Sequence, residues 1–143
     1  MRRLLVLGLV VVAGCGGDRS ESLPAACTQG PVAIKKALAK APGEVAIDGT
    51  RISECFNRNA AGEDVQIVGG FLLAAAQELG DRARAGDQQA ALRLGYLVGA
   101  AQRGAARNGL GAEIVRRLEA ETSGLGAGQA AYARGLGAGK SQG

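Results

Sequence analysis

Between Asp64 and Arg107 the chain twice repeats its apolar residues at helical spacing, with only Ala85-Gly86-Asp87 between the two runs. In the first run Val65, Val68, Leu72, Ala75, Ala76, Leu79 and Ala83 share a face, and Ile67 and Phe71 widen it. In the second, Ala91, Leu94, Gly95, Val98 and Ala105 form a stripe, and Gln89, Arg93, Arg103 and Arg107 take the opposite side. Asp87 is placed to cap the second helix and Asn108-Gly109 to end it. A connection this short makes the two helices antiparallel neighbours. The sequence therefore predicts a mainly α fold: a small helical bundle built on an antiparallel helix hairpin.

The flanks add smaller elements. Pro31 suits the first turn of a short basic helix, with Ile34, Ala37, Leu38 and Ala41 inward and Lys35, Lys36 and Lys40 outward; Pro42-Gly43 stops it. Asp48-Gly49 between β-branched residues predicts a minor N-terminal β-turn or hairpin. Ser53 is expected to cap a helical turn carrying Cys55 and Phe56. After the hairpin, Leu110, Ile114 and Leu118 line a third helix, supported by Glu113–Arg117 and Arg117–Glu121 charge pairs four residues apart. Gln129 to Arg134 adds a turn or two, and the glycine-rich end, residues 135–143, is expected to be mobile.

Inside the second helix Ala91, Gly95 and Gly99 stand four residues apart. Small residues in such a row let helix backbones approach closely, and each interior glycine costs about 1 kcal/mol against alanine. The row is read as a helix crossing within the domain, in preference to a homodimer seam.

The first residues follow a different logic. Met1-Arg2-Arg3 precedes a run from Leu4 to Ala13 broken only by Gly8, with the charge and length of a secretory signal. A membrane-spanning helix needs about 20 apolar residues, more than this run has. It ends in Val12-Ala13-Gly14-Cys15, which resembles the lipobox of bacterial lipoproteins. The resemblance implies a diacylglyceryl group on Cys15, cleavage just before it, and a place on a membrane facing outside the cytoplasm. Residues 1–14 are then the signal peptide, 15–23 a tether, 24–134 the helical domain and 135–143 the tail. Two or three acyl chains hold a protein stably, where one binds only marginally. Gly16 stands where an aspartate would mark inner-membrane retention in some double-membrane bacteria.

Cleavage there would leave 129 of the 143 residues and lower the formal charge from +4 to +2, since Arg2 and Arg3 depart. A surface so balanced excludes a nucleic-acid partner, which calls for a strong basic patch. Cys27 and Cys55 remain, and exported cysteine pairs usually oxidise. The alternatives are a reactive thiol or a zinc site, but the chain has no histidine to complete a zinc ligand set. The missing histidine also removes the commonest general acid–base. Asp48, Glu54, Glu63 and Asp64 cluster in sequence without the spacing of a calcium loop. Arg134 to Ser141 resembles a phosphate-binding loop, but arginine replaces its first glycine. No catalytic, metal or cofactor site is therefore expected. The functional expectation is an envelope interaction or structural module, with a small-molecule binding protein second and a carboxylate enzyme third.

Overall fold

A computed structural model describes residues 21–143. The chain forms helix α1 (Pro31–Leu38), strands β1 (Ala46–Ile47) and β2 (Thr50–Arg51), then helices α2 (Gly62–Arg84), α3 (Gln88–Gly104), α4 (Gly109–Ala120) and α5 (Gln129–Gln142). Short 3-10 turns lie at Ala25–Thr28, Ile52–Phe56 and Gly126–Gly128. The fold is mainly α, as the periodicity predicts.

The antiparallel hairpin of α2 and α3 is its frame. Asp87 caps α3, and the Ala90 N–H donates to its Oδ1 at 2.9 Å. That bond, then Arg82 beside it, holds the Asp87 carboxyl below its usual value. A depressed carboxylate stabilises the fold above its unfolded pKa of about 3.9, and the contribution is lost as pH falls through the lower folded value. Asp87→Ala should therefore cost about 1 kcal/mol at neutral pH. The deficit should shrink in unfolding curves taken below about pH 4. A deficit that persisted undiminished in acid would count against the capping role.

On α2 the inward residues are Val65, Val68, Leu72, Ala75, Ala76, Leu79 and Ala83, as predicted, but Ile67 is 52% exposed. It does not widen the buried face, which Gly69 and Gly80 share instead. Helix α3 is central and buried nearly all round from Ala90 to Ala101. It ends at Gly104, before the expected Arg107, because Ala105 turns extended at ψ 144°. The Gly104 backbone there lies against that of Ser53.

The strands pair Ala46 with Arg51 and Ile47 with Thr50 in antiparallel register. Asp48 and Gly49 between them have φ +47° and +80°, the left-handed pair that an Asp-Gly hairpin turn requires. Cys27 and Cys55 are disulfide-bonded, 5.6 Å apart at Cα, and both are buried. Ser53 does not cap the turn that follows. Glu54 does the work instead, accepting from the Arg51 N–H at 3.1 Å and from its guanidinium. The Ser53 hydroxyl donates to the Gly143 carbonyl oxygen at 2.6 Å. In α4, Glu113 pairs with Arg117 at 3.0 Å as expected. Glu121 instead turns toward Arg84, which donates to its carbonyl oxygen at 3.0 Å.

The largest departure is the C-terminal end. Residues 135–143 are not a mobile tail: α5 runs through Gln142, and Gly135, Gly139 and Gly143 are buried. Local glycine content predicts flexibility, but a groove on α3 reverses that prediction.

Candidate functional site

Ala91, Gly95 and Gly99 form the floor of that groove, and α5 lies in it. A Cβ on Gly95 would strike the Tyr132 carbonyl oxygen and come within 2.9 Å of the Leu136 nitrogen. A Cβ on Gly99 would strike the Leu136 carbonyl oxygen. The reciprocal row on α5 behaves alike: Cβ atoms on Gly135 and Gly139 would meet the Tyr96 and Ala100 nitrogens at 2.9 Å. Ala91 packs its Cβ over Gly128. From Gly95 to Gly99, backbone thus meets backbone. Partners rise together, Leu92 and Tyr96 facing Gly135, then Tyr96 and Ala100 facing Gly139, so α3 and α5 run parallel. The predicted crossing lies inside the domain. The sequence reading missed its partner, although Ala131, Gly135, Gly139 and Gly143 repeat the same four-residue step.

Arg103 closes the end of α5 by donating to the carbonyl oxygens of Lys140 and Ser141 at 3.0 and 2.9 Å. A cation there also suits the negative end of the helix dipole. The loop-like motif from Arg134 to Ser141 is helix throughout, with Lys140 and Ser141 near its C-terminus, so it offers no anion-binding N-terminus.

Tyr96, on α3, is fully buried, and among the described residues its hydroxyl has no partner at good hydrogen-bond geometry, the Val45 main chain being the group nearest to that role. Burial pushes its pKa up. The Val45 main chain and the charges of Glu44, Arg103 and Arg51 act on it more weakly. A buried hydroxyl without a partner is a cost. Tyr96→Phe should therefore leave stability unchanged or raise it by up to about 1 kcal/mol. A clear loss in thermal unfolding would instead show that the hydroxyl is bonded, to the Val45 main chain or to a buried water.

The four candidate carboxylates do not converge. Asp48 accepts from Gln29 and Glu54 from Arg51. Glu63 and Asp64 sit in the first turn of α2, a favourable place for negative charge. Among the described residues no three acidic or cysteine side chains gather as metal ligands.

Among the described residues, three open grooves stand out on the surface. One, of about 400 Å³, lies between α2 and α4 over Gly69 and Gly70, walled by Leu73, Leu110 and Ile114, with Glu113 and Arg117 at its rim. A second, of about 530 Å³, lies between α1 and the hairpin, edged by Lys36, Lys40, Glu44 and Asp48. The third, of about 370 Å³, lies beside Phe56, Ala60, Val65 and Leu110. Each is open to solvent, and its rim charges are exposed except for Glu113, which is half-buried and paired with Arg116 and Arg117. None brings a nucleophile and a base together. Cys15 lies outside the described residues.

The fold defines a small disulfide-linked helical bundle. No protein-family model, curated protein or solved structure matches the chain.

Proposed function

We propose that the chain is the precursor of a lipid-anchored envelope protein whose exported domain holds a partner rather than performing chemistry. The observation that carries the reading is the segment ending in Val12-Ala13-Gly14-Cys15, only six residues ahead of Glu21. Three features support it. The Cys27–Cys55 bridge suits an oxidising compartment. That bridge and the lipid together account for every cysteine in the chain. No helix of the described residues is long and apolar enough to cross a membrane, so lipid on Cys15 would supply the attachment. The grooves offer contact surface, and the charged groups around them are mostly paired with each other or solvated, which favours a binding role. A small-molecule ligand would sit in the groove over Gly69 and Gly70, the most apolar of the three in its walls.

The test compares wild type with Cys15→Ser in cells fed a fatty-acid probe, followed by crosslinked pull-down from membranes. Wild type should carry the probe, stay with the membranes and bring a protein partner with it. The variant should lose label and attachment. Equal labelling of the two would end the anchoring proposal. A labelled wild type that captures nothing, yet turns over an envelope substrate, would replace the binding role by an enzymatic one.

A further inference from the structure

The bundle has two ends, and the chain enters at only one of them. Glu21 is pinned there: its N–H donates to the Asn59 carbonyl oxygen at 2.9 Å, and the Asn57 amide donates to its carboxylate at 2.7 Å. Glu21 pairs with Ala60 as an isolated parallel bridge, just before α2 begins at Gly62. The same end holds the C-terminus of α3, where Gly104 meets Ser53, and the C-terminus of α5, where Ser53 binds Gly143. The start of α4 lies there too, since Gly109 and Leu110 share a groove with Ala60.

The opposite end is built from the Ala85–Asp87 connection and the segment after α4, joined where Arg84 binds the Glu121 carbonyl oxygen. Between the two ends runs α2, whose 23 residues span about 34 Å at 1.5 Å per residue. Cys15 stands six positions before Glu21, and six fully stretched steps of chain reach about 21 Å. That upper bound holds for any conformation of the segment, and it is shorter than the bundle. The basic flank of α1 is offset locally: Lys35 pairs with Glu78, and Lys36 and Lys40 share their groove with Glu44 and Asp48. Among the described residues the large apolar side chains that stand exposed are Val32 and Ile67, one on α1 and one on α2, and single exposed residues of this kind do not make a membrane-binding patch.

We infer that the anchored protein stands with its Ala60 end against the lipid headgroups and its Gly86 tip directed away from the membrane. This inference rests on the lipid anchor proposed for Cys15. Arg58, Arg103, Arg107 and Lys140 are exposed near the membrane-facing end, and Glu21, Glu54, Glu63 and Asp64 offset them, so the short tether rather than net charge sets the orientation. The turn at Ala85–Asp87 and the loop at Ser123–Ala127 then lie farthest from the lipid.

The chain contains no tryptophan, so a single introduced one is a clean donor. Arg58→Trp and Arg107→Trp report on the near end, and Gln88→Trp and Ala127→Trp on the far end, all at exposed positions. The full-length lipidated protein is placed in vesicles carrying a phospholipid with a dansyl headgroup. Energy transfer should be several-fold greater from the near pair than from the far pair. Two positions at each end keep the comparison if one variant fails to fold. Equal transfer from both ends, or the reverse order, in protein that carries the fatty-acid label overturns the orientation and leaves the anchor standing. Absence of both label and transfer overturns the two together.

Discussion

Gly95→Leu should cost about 3 kcal/mol or more, the upper part of the range for overpacking, out of the roughly 5–15 kcal/mol that holds a domain of this kind folded. The physical reason is what the new side chain meets. It meets main chain, the Tyr132 carbonyl oxygen and the Leu136 nitrogen, and these cannot rotate aside as a side chain can. Relief requires α5 to move off α3, which strips the contact that keeps a glycine-rich segment helical. Gly95→Ala is the sharper diagnostic. On a solvent-facing helix it would stabilise by about 1 kcal/mol through helix propensity. Here even one carbon collides with the Tyr132 carbonyl oxygen, so the sign should reverse and the variant should lose about 1–3 kcal/mol. Urea unfolding of the soluble domain gives both values. A midpoint raised by alanine would show that the two helices are not in backbone contact.

Removing the disulfide should cost about as much. Cys27 and Cys55 are 28 positions apart, and closing a loop of that length is worth about 3.5 kcal/mol in the chain-entropy model. The bridge joins the segment before α1 to the turn after β2, so it fastens the hairpin and the first helix to the bundle. The paired replacement Cys27→Ser with Cys55→Ser should lower the unfolding midpoint by a corresponding amount. The hairpin end should loosen first, since two two-residue strands are too small to stand alone. Amide exchange across 45–56 would locate the loss. An unchanged midpoint would show that the core around Leu38, Val45 and Ile52 holds this end by itself.

Much of the frame was legible because its causes are local. The period of Val65 to Ala83, the cap at Asp87 and the left-handed pair Asp48-Gly49 each depend on residues within a turn or two, so reading the chain in order finds them. Errors arose where a distant segment intervened. Ile67 lies close to the apolar stripe of α2 by spacing, yet the packing of the described residues leaves it half exposed. Ser53 has the chemistry of a cap, but Gly143 engages its hydroxyl across 90 positions of sequence. Arg117 and Glu121 are spaced to pair, and Arg84 reaches Glu121 from another helix.

The candidate site divides in the same way. Cysteine content and the absence of histidine were enough to indicate a bridge, and Gly95 and Gly99 were enough to indicate a close crossing. Neither observation named the helix on the other side. Glycine has no side chain to mark a face, so the row at Ala131, Gly135, Gly139 and Gly143 carries no apolar periodicity and reads as a loose tail. By itself, then, the sequence determined the helix hairpin, its cap, the β-turn and the pair of cysteines, because local geometry and covalent chemistry fix these. Only the tertiary structure decided that the last fourteen-residue helix exists. Three interior glycines leave that segment with little helical tendency of its own, and its order comes from backbone packed on backbone in the groove of α3.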